Sequence, residues 1–352
     1  MIEGRVKADL TGGEEQPMFH ALLLEKQAGE EHPATARIAE LPEDFLPTEG
    51  RVLLRPLYSN VNYKDGLILA GNSRLVPQYP LIPGIDFAGE VIDGGGSDFK
   101  PGEQVILTGW RVGEIWPGGY ASMARIKPEW LVRLPRNMQL RQAMILGTAG
   151  LTAMLSIAAL EGRGLRPDGG PVLVTGAAGG VGALSVLLLA QLGYQVTAVT
   201  GRLEQAAWLQ QLGAQDIIAR EEINEVIARP LESERWAGCI DVVGGAMLAR
   251  ILGQMAYGGS VAAVGLTGGA DLPTRMMPFL LRGVALLGID SVMQPLAIRQ
   301  QAWDRLAALT PFEMLERLTE EIGPAELPAC GEAIRAGQVR GKKLVRLDSW
   351  PG

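Results

Sequence analysis

Gly176-Ala177-Ala178-Gly179-Gly180-Val181-Gly182 stands between an apolar run, Pro171 to Thr175, and a long uncharged run, Ala183 to Leu192. The first run reads as a buried strand and the second as a helix. A glycine-rich turn from strand into helix lets the backbone approach a pyrophosphate, which the exposed N–H groups and dipole at the helix start then bind. The spacing is GxxGxxG rather than GxGxxG, so the flanking elements carry as much of the reading as the glycines. The following strand, Val196 to Thr200, runs into Gly201-Arg202. About 20 residues beyond the loop, where an acidic residue would hold a ribose 2′-hydroxyl, stands an arginine. That favours a 2′-phosphate, and hence NADP(H).

Working outward, strand-like and helix-like runs alternate from about Arg141: Val172–Val174, Val196–Val199, Asp216–Ala219, Ile240–Val243, Ser260–Val264 and Ala285–Ile289, with helices such as Leu203–Leu212 and Ala246–Met255 between them. Alternation of this kind implies parallel βαβ units and an open, doubly wound α/β sheet. Before it, from Met18 to about Asn137, short apolar runs are punctuated by Pro, Gly and Asp turns and read as β-rich. Examples are Val52–Leu54, Phe87–Ile92 and Gln104–Leu107. The last such run, Lys342–Leu347, is expected to return to the first domain.

A chain of 352 residues suggests two domains. The net charge of −7 argues against a nucleic-acid surface, which needs a basic face. Cys239 and Cys330 are the only cysteines and form no spaced pair, so neither a disulfide framework nor a zinc ribbon is expected, and the chain reads as cytoplasmic. Residues 1–17 are polar, lack the apolar segment of a secretory signal, and contain Ile2-Glu3-Gly4-Arg5, a protease site used in expression vectors; they read as a leader or tag. Ala143–Leu160 carries no charge and reaches membrane-spanning length, but its Gly147, Thr148, Gly150, Thr152 and Ser156 mark it as a buried interdomain helix. No membrane association is expected.

The order of domains, together with several stretches of text, resembles the medium-chain dehydrogenase/reductase superfamily. The stretches are Ser59–Asp65, Pro83–Gly89, Gly147–Ala153, the glycine loop and Asp290–Met293. Thr108-Gly109-Trp110, Thr200-Gly201-Arg202 and Met277–Arg282 further resemble the zinc-independent quinone oxidoreductase group, in its acrylyl-CoA reductase branch. The resemblance implies a GroES-like catalytic domain (residues 18–140 and 295–350) and an NADP-binding Rossmann domain (141–294), assembled as a homodimer. It also implies cofactor contacts at Tyr63, Ala178, Gly179, Gly180, Val181, Thr200, Gly201, Arg202, Val242 and Leu286. Arg299 and Lys342 match the family pattern as candidates to meet a phosphate of NADP or CoA.

Elimination narrows the chemistry. The histidines are His20 and His32 alone, and the positions where zinc alcohol dehydrogenases of the superfamily place Cys and His ligands read Asn62–Asp65. A tetrahedral N/S zinc site needs such ligands, so no metal is expected. The remaining chemistry is hydride delivery from NADPH to an activated C=C bond, with the enolate oxygen stabilised before the α carbon is protonated. Tyr63 is the candidate to orient substrate and cofactor or to donate the proton, and Asn62 to hydrogen-bond the acyl carbonyl. Lys64 and Asp65 read as a neighbouring ion pair. In the family a His-Trp pair precedes the glycines at Gly118-Gly119; here Arg111 and Ile115-Trp116-Pro117 stand instead, and Arg111 could assist an anionic substrate. The resemblance implies NADPH-dependent reduction of acrylyl-CoA to propionyl-CoA. Alternatives are an NADPH:quinone oxidoreductase and a non-catalytic nucleotide-binding protein like the related lens crystallins.

Overall fold

The computed structural model describes residues 17–26, 34–72, 74–225 and 229–350. The proposed leader, apart from Pro17, and His32 lie outside the described residues. Two large sheets organise the rest. The cofactor-type sheet is entirely parallel, in the order Asp216–Ala219, Val196–Thr200, Val172–Val174, Trp236–Asp241, Met255–Ala263, Ala285–Gly288. This is the doubly wound order, with the strand that feeds the glycine loop at the centre, where the chain reverses direction across the sheet. Val172, Leu173 and Val174 are fully buried, as a parallel strand covered on both faces requires.

The second sheet joins distant parts of the chain. Lys342–Arg346 pairs parallel to Thr319–Ile322 and antiparallel to Val52–Asn60, which continues into Asp86–Asp93, Gln104–Thr108 and Val132–Arg133. The C-terminal run therefore does return to the N-terminal sheet. Helix Leu140–Gly162 lies between the two sheets, packing on Val52–Asn60 and Asp86–Asp93 on one side and on Met255–Ala263 and helix Gly180–Gln191 on the other. It is the one described helix long and apolar enough to cross a membrane, yet 83% of its most apolar window is buried inside the protein. The helix breaks at Gly147, where φ is 53°. That break turns the Thr148 N–H onto the buried Asp86 carboxylate at 2.7 Å and fixes the inner wall of the interdomain cleft.

Candidate active site

The glycine loop is tight because its atoms leave no room. A Cβ on Gly182 would lie 2.4 Å from the Gly176 carbonyl oxygen and 2.7 Å from the Ala177 Cα. Below it, the Thr175 hydroxyl donates to Asp241 at 2.7 Å and accepts from the Val242 N–H at 3.0 Å, tying the loop to the neighbouring strand. Helix Gly180–Gln191 begins at the loop, and its first N–H groups have no partner within the helix. A cavity of about 550 Å³ opens in front of them, lined by Gly176, Ala178–Gly182, Thr200–Arg202, Val242 and, at one edge, Tyr63. These are positions expected to hold the cofactor.

Arg202 closes the far end. Its guanidinium donates to the Ala178 carbonyl at 2.6 Å and to the Gly337 carbonyl at 3.1 Å, bridging the loop and the turn before strand Lys342–Arg346. A second arginine, Arg220, lines the same cavity, and a Cβ on Gly201 would lie 2.9 Å from its Cζ. Sequence reading missed Arg220. The parallel register pairs Ala219 with Thr200, so the residue after each strand end meets the other, and that register is the signal that would have found it.

Past Tyr63 the cleft continues into an inner cavity of about 600 Å³, walled by Tyr63, Thr148, Thr152, Ile289–Val292 and Lys342. Tyr63 opens helix Tyr63–Leu69, stands where the two cavities meet, and is 51% exposed. The cations lining this inner cavity are Lys64, Arg202, Arg335, Lys342 and Lys343, against one lining carboxylate, Asp290; Lys64 and Lys343 are paired with Glu114 and Glu320 outside the lining. In a chain of net charge −7, such a cleft concentrates field for an anionic ligand.

Several expectations need correction. Asn62 lines the cleft, but its amide donates to Asn60 at 2.7 Å, Asp86 at 3.0 Å and Asp65 at 3.2 Å, so it has no N–H to offer an acyl carbonyl. It is a structural cap. Lys64 and Asp65 do not pair: Lys64 meets Glu114 at 3.0 Å, while Asp65 is fully buried and accepts the backbone N–H groups of Asn62 at 2.8 Å and Ile85 at 3.0 Å. Burial, then the nearby Asp86 charge, push the Asp65 carboxyl up to about 7. Arg111 also turns to Glu114, at 3.5 Å. Leu286 packs among the hydrophobic side chains around Val261 and Phe279 rather than lining the cleft; Val264 and Ile289 line it instead. Arg299 is fully buried with every guanidinium N–H given to the protein, so it meets no phosphate.

Lys342 keeps its candidacy. It is 9% exposed, lines the cleft, and its ammonium makes no hydrogen bond or ion pair among the described residues. Burial pushes its pKa down, countered by the charges of Asp86 and Asp65.

Two family descriptions match the chain: an alcohol dehydrogenase GroES-like domain over residues 48–136 and a zinc-binding dehydrogenase over residues 180–308. The chain is 54% identical to acrylyl-CoA reductase AcuI of Ruegeria pomeroyi, over 94% of this chain and all of that one. It belongs to the medium-chain dehydrogenase/reductase superfamily, in the acrylyl-CoA reductase branch. The solved yhdH oxidoreductase of Salmonella enterica in complex with NADP is 49% identical, with TM-score 0.89 over 93% of this chain and 99% of that one. Bacillus subtilis yhfP with NAD bound is 41% identical, with TM-score 0.90 over 94% of this chain and all of that one.

Among the described residues the zinc in one family description has no matching donor set. Among the described residues no three His, Cys, Asp or Glu side chains gather to hold an ion. Both cysteines are buried in separate cores, His20 stacks on Trp350, and the carboxylate oxygens of Asp65 and Asp86 already accept N–H or O–H groups. The described residues do not fit a tetrahedral N/S site.

Proposed function

We propose that this chain reduces the C=C bond of acrylyl-CoA to give propionyl-CoA, with NADPH as reductant and without a metal. The observation that carries the reading is the inner cavity, continuous with the dinucleotide loop: of its five cationic side chains Lys64 and Lys343 are paired with Glu114 and Glu320, while Arg202, Arg335 and Lys342 make no ion pair among the described residues and face one carboxylate, Asp290. A neutral quinone has no use for that charge, whereas a coenzyme A ester brings several phosphates to it. The identity to a named acrylyl-CoA reductase supports the same substrate, and the NADP-bound relative supports the same cofactor.

NADPH, when bound along the glycine loop, supplies the hydride that the β carbon accepts. Ala178–Val181 seat the dinucleotide, and Arg202 with Arg220 holds the 2′-phosphate. Tyr63 orients substrate against cofactor at the junction of the two cavities and is the candidate proton donor to the α carbon. Lys342 faces the developing negative charge, where a desolvated cation acts more strongly than it would in water.

The catalytic unit comprises residues 18–140 and 295–350 and the cofactor unit residues 141–294. The enzyme acts in the cytoplasm and as a homodimer; the homodimer is supported by the apolar Met276, Leu280 and Leu281, exposed in the segment that leads into the outermost parallel strand Ala285–Gly288.

The test is NADPH oxidation with acrylyl-CoA beside a simple benzoquinone, with the thioester product identified by mass. Propionyl-CoA formed at the higher kcat/KM is the expected result. Turnover of the quinone with acrylyl-CoA inert would replace this reading by the quinone reductase one. Inertness to both would leave a nucleotide-binding protein.

A further inference from the structure

Arg299 sits in helix Leu296–Leu309, yet its guanidinium works outside that helix. Its Nε donates to the Gln294 carbonyl at 2.9 Å. One terminal nitrogen donates to the Thr108 carbonyl at 2.9 Å and the Thr108 hydroxyl at 3.0 Å. The other donates to the carbonyls of Ser291 at 2.9 Å and Val292 at 2.6 Å. A guanidinium has five N–H donors, and all are engaged. The Trp110 N–H adds a direct backbone link to the Val292 carbonyl at 2.9 Å, and the Trp110 ring lies 5.0 Å from the Arg299 Cζ. At the centre of the contact stands Gly109, with φ of 79°, where a Cβ would lie 2.6 Å from the guanidinium and 2.7 Å from the Val292 carbonyl oxygen.

The two segments so joined belong to different sheets. Thr108 ends the strand Gln104–Thr108 of the second sheet, and Asp290–Val292 follows the last parallel strand of the first. Ile289, Asp290, Ser291 and Val292 form one wall of the inner cavity. Asp290 tightens that wall into a turn by accepting the Val292 N–H at 2.7 Å.

We propose that Arg299 is a positioning residue: it pins the Asp290–Val292 lip to the Thr108–Trp110 turn, and thereby sets the distance between that wall and Tyr63. A buried cation without a hydrogen-bonded carboxylate is a costly way to fill a core that an aliphatic side chain would fill as well. What an aliphatic side chain cannot do is hold carbonyls of Thr108, Ser291 and Val292 at once. Burial pushes the guanidinium pKa down to about 10, so it stays cationic at neutral pH. Lysine would keep the charge but not the planar fork that spans three carbonyls.

The inference rests on the acyl-CoA reading for its kinetic arm and on the fold alone for its structural arm. In Arg299→Lys, kcat/KM for acrylyl-CoA should fall about ten- to a hundredfold, the scale of a small misplacement of substrate. The NADPH dissociation constant should stay within about twofold, because neither Arg299 nor the residues it holds line the glycine-loop cavity. A lowered Tm with unchanged kcat/KM would mean that the arginine only stabilises the core. The structural arm uses the unmodified protein and needs neither a folded variant nor the proposed substrate. Hydrogen exchange should protect the Trp110 amide, whose N–H the Val292 carbonyl accepts across the contact, like those of the adjacent strands, and exchange at exposed-loop rates would overturn the clamp.

Discussion

Removing the Arg202 guanidinium should change which nicotinamide cofactor the enzyme prefers. Arg202 donates one N–H to each of the Ala178 and Gly337 carbonyls, which leaves three of its five guanidinium N–H groups for a bound 2′-phosphate. A hydrogen bond to a charged group is worth about 1.5–3 kcal/mol, and the half-buried setting of Arg202 places it in the lower part of that range. With 1.4 kcal/mol equal to a factor of ten, Arg202→Ala should lower kcat/KM for NADPH by about ten- to fiftyfold. NADH, which lacks the phosphate, should lose only what the freed Gly337 turn costs, about threefold or less if that bridge is a surface contact. Arg220 is exposed and among the described residues its side chain pairs only with Glu221, at 3.3 Å, so Arg220→Ala should cost about two- to fivefold with NADPH and nothing with NADH. The double variant should lose less than the product of the two, since both guanidiniums meet one phosphate. The assay is steady-state kcat/KM with each cofactor at saturating acyl substrate, supported by direct binding of NADPH and NADH. Equal losses for the two cofactors in Arg202→Ala would refute the reasoning, because they would make the arginine a strut between the loop and Gly337.

Tyr63→Phe removes only a hydroxyl from a half-exposed ring; a drop in kcat of about 10²–10⁴-fold would assign it the proton transfer, and less than tenfold would leave it orienting the substrate. Unchanged kcat and kcat/KM would make it a packing residue, with water protonating the product. Prolonged chelation should leave activity intact, and elemental analysis should find no stoichiometric zinc; loss on chelation with recovery on adding zinc would overturn the metal-free assignment. The Asp65 carboxyl, raised in the fold to about 7 from an ordinary value near 4, holds its proton longer than in the unfolded chain. Its contribution to stability is therefore complete below about pH 4 and is lost as pH rises towards 7 and just beyond. Asp65→Asn should flatten the fall in Tm between pH 5 and pH 8, and a variant with the same slope as the unmodified protein would assign that fall to other groups.

What was legible in the chain, and what was not, divides along a physical line. The glycine loop could be read because a strand, a turn and a helix start are local, and their residue types are forced by backbone geometry within a dozen positions. Arg202 could be read because the end of the next strand lies beside that loop in any doubly wound sheet. Arg220 could not, since it reaches the same cavity only through the register that sets Ala219 against Thr200, and register between non-local strands leaves no mark in composition. Asn62 and Arg299 failed in the opposite sense. Each has a side chain suited to hold a ligand, but a donor serves a ligand only if the protein leaves it unused, and that depends on carbonyls and carboxylates far along the chain. Asn62 meets Asp86, 24 positions on, and Arg299 meets Thr108, 191 positions back. The same accounting of donors argues for Lys342: buried, walled into the cleft and without a hydrogen-bonded partner among the described residues, it retains all three N–H groups for what the cleft receives.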